Sequence, residues 1–184
     1  SSETHNSVIK SVEFLGIGRN HYRQIPITEN FTVDTQQLRQ QIEQDLLDGF
    51  RPFCLIGNAG TVNTGTIDPL DELADIADQY GLWFHVDGCY GALASGLTHL
   101  KPYYRGMERA DSIALDFHKW WYQTFEIGCV LVKDWQQMRK TFYTPAKYLD
   151  EGAAATGRFN ITCLLYTSEA ADYYVRVDLC GRSI

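Results

Sequence analysis

The chain has no apolar run long enough to cross a bilayer as a helix, and it does not open on the charged-then-apolar pattern of a signal peptide. It has no excess of positive charge: 16 Lys and Arg stand against 23 Asp and Glu, a net charge of −7. That balance argues against nucleic acid or an anionic membrane surface as a partner. It has no CxxC pair. Cys54, Cys89, Cys129, Cys163 and Cys180 are scattered and odd in number, which argues against a disulfide framework or a zinc site. These absences lead to the expectation of a cytoplasmic protein. What is present is ordinary: 184 residues, 45% of them hydrophobic, suffice for one soluble domain with a real core.

Periodicity and punctuation divide the chain into alternating helices and strands. Val8, Val12 and Leu15 recur at helical spacing over residues 3–15, with Ser2 or Thr4 as the expected cap. Residues 22–27 read as a short strand. Asp34 then caps a helix whose Leu38, Ile42, Leu46 and Phe50 are spaced by four, a sheet-covering pattern. Residues 52–57 are a continuous apolar strand, as expected inside a parallel sheet. A turn of small and hydroxylated residues, 58–68, leads into a helix over 69–80. Its Leu70, Leu73, Ile76, Ala77 and Tyr80 face inward and its Asp71, Glu72, Asp75 and Asp78 outward; Gly81 closes it. A strand over 82–87 follows at once, giving a βαβ unit. Gly96, Pro102 and Gly106 break residues 91–109, which return the chain to the sheet. Residues 113–115 and 127–132 are further strands, and residues 135–142 a short helix.

Two strand ends carry chemistry. The run Leu82-Trp-Phe-His-Val-Asp87 delivers an aspartate to its C-terminal end, and the small-residue turn Gly88-Cys89-Tyr90-Gly91-Ala92 follows. An open α/β sheet builds its ligand site at such ends. A helix N-cap is the other role open to Asp87. The stretch Asp111-Ser-Ile-Ala-Leu-Asp-Phe-His-Lys-Trp-Trp121 begins as a strand and ends in Lys119 among aromatics. A lysine there is costly to desolvate as a cation; burial favours the neutral amine, a nucleophile toward carbonyls. That is the chemistry of the Schiff-base lysine that holds pyridoxal phosphate (PLP). A lysine snorkelling from a strand end is the alternative. A PLP enzyme also needs an acid opposite the pyridine nitrogen, so that the protonated ring acts as an electron sink. Asp87 and Lys119 together, each at a strand end, favour the cofactor.

The segments His85-Val-Asp-Gly-Cys-Tyr-Gly91 and Asp116-Phe-His-Lys-Trp120 resemble the two signatures of the group II PLP-dependent amino-acid decarboxylases, which include the aromatic-L-amino-acid and glutamate decarboxylases. Their separation, 119 − 87 = 32 residues, agrees with that family. The resemblance covers roughly residues 1–162. It implies an α/β fold of PLP fold type I, three-layered with a mostly parallel sheet, and a strand over 127–132 antiparallel to its neighbours. Family members are much longer and the chain opens without Met, so residues 1–162 are expected to be an incomplete part of the PLP-binding large domain. Residues 163–184 lose the resemblance and read as translated sequencing-adapter read-through, a non-native tail outside the fold.

The resemblance also implies roles. His5, in Ser-Glu-Thr-His-Asn-Ser-Val, matches the histidine that stacks on the pyridine ring; a surface histidine is the alternative. Gly60 and Thr61 match a cofactor-contacting turn, with Val62 where a second hydroxyl is often found; a plain Asn/Gly turn is the alternative. Cys89, in the turn after Asp87, joins the cofactor-binding set, and His118 matches a phosphate contact. Asp116 stands where many relatives carry a neutral asparagine. An acid repels phosphate, so Asp116 is expected to point elsewhere or to sit by the cationic Schiff base. Residues 144–157 read as a mobile lid. Tyr148, 148 − 119 = 29 residues past the lysine, matches a tyrosine that closes over the site and reprotonates Cα. Tyrosine there fits plain decarboxylation, since phenylalanine marks aldehyde-forming relatives; a surface aromatic is the alternative. The implied function is decarboxylation of a small-molecule L-amino acid to the amine and CO₂ by a homodimer with its site at the subunit interface. The alternatives are another fold type I enzyme, an aminotransferase or desulfurase, or an inactive truncated piece.

Overall fold

The computed structural model describes residues 1–142. Helix α1 (Ser7–Phe14) starts later than its spacing predicts, with Asn6 as an N-cap that makes no side-chain cap bond. Thr4, an expected cap, instead accepts at its hydroxyl a bond from the Asn58 side-chain amide, at 3.1 Å. The strand expected over residues 22–27 does not form. A single antiparallel bridge joins Ile27 to Val33; Pro26 has no N–H for a ladder, and its carbonyl accepts the Asp34 N–H beside that bridge. Helix α2 (Thr35–Leu47) starts where expected. Asp34 Oδ1 accepts from the Gln36 and Gln37 N–H groups, both at 3.0 Å, which satisfies two of the four orphan donors of the first turn. Its buried stripe is narrower than the spacing suggests: Leu38 and Ile42 are buried, whereas Leu46 and Phe50 are exposed.

The sheet follows in order. Strand β1 (Cys54–Asn58) leads to helix α3 (Leu70–Tyr80), then β2 (Trp83–Asp87), β3 (Ser112–Asp116), the single turn α4 (Phe117–Trp120) and β4 (Gly128–Val132). Strands β1, β2 and β3 pair in parallel in that order, and β4 is antiparallel to β3. The fold is thus mixed α/β with a mostly parallel sheet, as the sequence implies. Residues Ser1–Lys133 form one unit, and a second begins at Asp134. The described part of the second is helix α5 (Trp135–Phe142).

Helix α3 lies on the sheet. A Cβ on Gly57 would stand 2.9 Å from Leu73 Cδ1 and 3.0 Å from Leu70 Cδ2, so α3 packs directly on the β1 backbone. Leu70, Leu73 and Ile76 from the helix and Leu55, Phe84 and Val86 from the strands are all buried. Each such side chain contributes about 1.5–3 kcal/mol. Gly81, at φ 66, ends the helix in the left-handed conformation expected of it. The second face of β1 and β2 is less covered than a doubly buried strand requires: Cys54 and Trp83 are exposed, and Ile56 and His85 half-buried. Between β2 and β3 run three 3₁₀ turns, Ala92–Gly96, Lys101–Tyr104 and Met107–Arg109. The last one ties this connection to α3. Arg109 bonds Asp71, Asp75 and Asp78, at 3.0, 2.7 and 2.6 Å, and so offsets the repulsion along that acidic face.

A buried polar node and a close backbone contact hold the turn after β1. The Asp68 carboxylate accepts the Val33 N–H and the Asn58 N–H, each at 2.8 Å, and the Asn58 side-chain amide at 2.7 Å. Gly60 and Gly91 bring the turns after β1 and β2 into backbone contact. A Cβ on Gly60, whose φ is 95°, would stand 2.7 Å from Gly91 Cα. Only glycine permits both the conformation and the approach.

Candidate functional site

Parallel pairing fixes where the site is built. Strands β1, β2 and β3 run in one direction, so Asn58, Asp87 and Asp116 all end at the same edge of the sheet. An open cleft of about 270 Å³ lies there, lined by His5, Thr61, Asp87, Cys89, Asp116 and Lys119 among others. Typical small-molecule pockets run from about 300 to 1,000 Å³, so within the described residues there is room for a compact cofactor and little more. The structure therefore brings together six residues that lie from 5 to 119 in the sequence.

Lys119 is not isolated by its aromatic neighbours as the sequence predicts. Its side chain is 34% exposed, and its Nζ is 2.7 Å from Asp116 Oδ2. The reason is that β3 passes straight into α4. That turn sends Trp120 edge-on to Tyr90, with ring centroids 5.8 Å apart, and stacks Trp121 on Phe117 at 5.0 Å. The aromatics pack among themselves, and the amine faces the cleft with a carboxylate beside it. Asp116 is the N-cap residue of α4, yet its side chain makes no cap bond. It points to the lysine, the second of the two placements expected from the sequence.

Asp87 ends β2 half-buried, and its Oδ1 accepts the Cys89 N–H at 3.2 Å. The Cys89 thiol is pushed up to about 12, mainly by burial and then by Asp87 and Asp116, so it stays protonated. Thr61 is buried and faces the cleft, but its hydroxyl is engaged within its own turn. It accepts the Thr66 N–H at 3.2 Å and lies 2.7 Å from the Thr64 hydroxyl. His5 is exposed, and its Nδ1 pairs with the Ser7 hydroxyl at 2.8 Å. His118 is not among the residues lining the cleft. Its Nδ1 accepts the Ile127 N–H at 3.1 Å, and its Nε2 is 3.9 Å from Asp116 Oδ2. Tyr148 and the expected lid lie outside the described residues.

Sequence reasoning missed four lining residues: Glu3, Ser7, Asn58 and Tyr90. Two had a signal. Asn58 closes an apolar strand, the position where such sheets place ligand contacts, and Tyr90 sits inside the motif that carries Asp87. Glu3 had none, because its place comes from the tie between Thr4 and Asn58.

The residues fit PLP: one amine and one acid face a common cleft from adjacent strand ends. Comparisons with known proteins agree. A family model described as the pyridoxal-dependent decarboxylase conserved domain matches residues 1–182. The aromatic-L-amino-acid decarboxylase of Bacillus atrophaeus is 38% identical over 151 residues, 82% of this chain and 32% of that protein. Among solved structures, the tryptophan decarboxylase of Catharanthus roseus in complex with L-tryptophan is similar, with a TM-score of 0.75 at 34% identity. That match covers 80% of this chain and 32% of that one. The glutamate decarboxylase domain of the diaminobutyrate-pyruvate transaminase and L-2,4-diaminobutyrate decarboxylase from Vibrio parahaemolyticus gives a TM-score of 0.73 at 38% identity, covering 76% and 30%. The chain spans about a third of the length of the relatives it matches.

Proposed function

The chain belongs to the pyridoxal-dependent decarboxylase family, and from that premise we propose that the full-length protein uses PLP to convert an L-amino acid into the amine and CO₂. One observation carries this reading: Lys119 and Asp87 line a single cleft at the C-terminal edge of adjacent parallel strands. Bound PLP supplies an electron sink for the charge left on Cα when CO₂ departs. The protein's own groups do the rest. Lys119 is the Schiff-base lysine. Asp87 holds the proton of the pyridine nitrogen. His5, which lines the cleft, would stack on the ring and could place its imidazole near the substrate carboxylate. Thr61, Cys89 and Asp116 complete the cofactor's surroundings, His118 stands behind Asp116 at 3.9 Å, and Tyr148 returns a proton to Cα.

The same reading includes a cytoplasmic homodimer with the site at the subunit interface. Exposed aromatic side chains beside the site, Trp120, Trp121, Tyr122 and Phe125, support a covered surface there, and free Cys54, Cys89 and Cys129 suit a reducing compartment. The test of the reaction is Lys119→Ala in the full-length protein. The expected outcome is loss of the visible absorbance, of the borohydride-trapped adduct and of amine production. A variant that keeps the trapped adduct refutes the assignment of Lys119.

A further inference from the structure

We propose that Asp116 is the counter-ion of the Lys119 nitrogen, holding a proton on it when that nitrogen is joined to the cofactor. This deepens the function proposed above and rests on Lys119 being the Schiff-base lysine. The distance from Asp116 Oδ2 to Lys119 Nζ is 2.7 Å, within range of a charge-assisted hydrogen bond. The backbone shows that the contact is specific. Asp116 stands at an N-cap, where an aspartate ordinarily accepts backbone N–H bonds, and it makes none. Its carboxylate turns to the residue three positions on, one helical turn away. Across the sheet it is paired with Gly128, which leaves the flank of the carboxylate open: a Cβ there would stand 3.6 Å from Oδ1.

The other groups facing Lys119 do not duplicate this role. Asp87, from β2, accepts the Cys89 N–H and is assigned to the ring nitrogen. Cys89 and Tyr90, from the turn after β2, and Glu3 and His5, from the N-terminal segment, line the same cleft. His118, on α4 itself, is bound to the Ile127 backbone. Among the described residues, Asp116 alone forms an ion pair with Lys119. With PLP joined to Lys119, a carboxylate so placed would favour the cationic form of the linked nitrogen and so make the linked carbon more electrophilic toward a substrate amine; the part played by Asp116 is to hold the proton at Lys119 Nζ. No oxidant or further reactant is required.

The experiment is a pH titration of the PLP-loaded full-length protein, following the visible band of the protonated Schiff base. An opposite charge at this range shifts a proton affinity by about 1–3 pH units. The band's midpoint in Asp116→Asn is therefore expected to fall by about 1–3 pH units, that is, about 10- to 1,000-fold in proton affinity. A band that depends on Lys119 but keeps its wild-type midpoint in Asp116→Asn overturns the counter-ion and leaves the proposed function intact. A band that survives Lys119→Ala refutes the Schiff-base assignment itself. Asp116→Ser serves in the same way if the amide disturbs folding.

Discussion

Replacing Asp68 tests how the turn that feeds the cleft is held. Its carboxylate is 2% exposed and serves three donors: the Val33 N–H on Oδ1, and the backbone and side-chain N–H groups of Asn58 on Oδ2. In Asp68→Ala these lose their acceptor in a site too buried for water. The Asn58 side-chain amide retains the Thr4 and Ser1 hydroxyls, at 3.1 and 3.3 Å, so two backbone donors carry the loss. At about 1–3 kcal/mol for each orphaned group the cost is about 2–6 kcal/mol. A typical domain has only about 5–15 kcal/mol to lose. Asp68→Asn is milder. Its one carbonyl oxygen can face Asn58 and keep two bonds, while its amide group opposes the Val33 N–H, for about 1–3 kcal/mol. Stability is therefore expected to fall in the order wild type, Asn, Ala. Urea unfolding of the apoprotein by circular dichroism measures this, and hydrogen exchange at Val33 and Asn58 locates it. An alanine variant within about 1 kcal/mol of wild type, or an asparagine variant less stable than alanine, would refute the reasoning.

Three further outcomes are expected. Asp87→Asn should keep some cofactor and lose most turnover, because a neutral amide cannot hold the pyridinium proton; wild-type turnover in a folded variant would exclude that role. Gly91→Ala places a Cβ 2.7 Å from the Ala59 carbonyl oxygen and 2.9 Å from Gly60 Cα; the overpacking should cost about 1–3 kcal/mol and weaken cofactor binding, measured by thermal unfolding and by PLP titration. Burial holds the His85 pKa below its ordinary value, and the Ser112 hydroxyl, which accepts the Trp83 indole N–H at 2.8 Å, has its hydrogen free for His85 Nδ1 at 2.7 Å. The folded ring is thus harder to protonate than the unfolded one. Above about pH 6.5 the ring is neutral in both states, so stability is full there; as pH falls from that point to the lowered folded value, the unfolded chain binds the proton first and stability is lost. His85→Gln should flatten the acid side of the stability profile, and an unchanged profile would remove His85 from the account.

Local pattern alone determined much of this protein. The apolar runs ending at Asp87 and before Lys119, the helix bracketed by Pro69 and Gly81, and the Asp34 cap each depend on residues a few positions apart, where backbone geometry and periodicity decide the outcome. The paired motifs added the family, since the chemistry of a Schiff-base lysine with its acid needs both residues. The tertiary structure decided which polar group meets which. Asp68 read as the end of a turn, yet it serves a backbone N–H 35 residues away. Asp71, Asp75 and Asp78 read as a solvated face, yet Arg109 reaches across to them from a separate turn. Thr61 read as a cofactor contact; it does line the cleft, and the fold adds bonds from its hydroxyl within its own turn. Lys119 read as a lysine enclosed by aromatics, and the turn at α4 gave it Asp116 instead. A hydrogen bond is settled by distance and angle within a few tenths of an ångström. Sequence spacing determines which elements form; only their packing brings a given donor to a given acceptor.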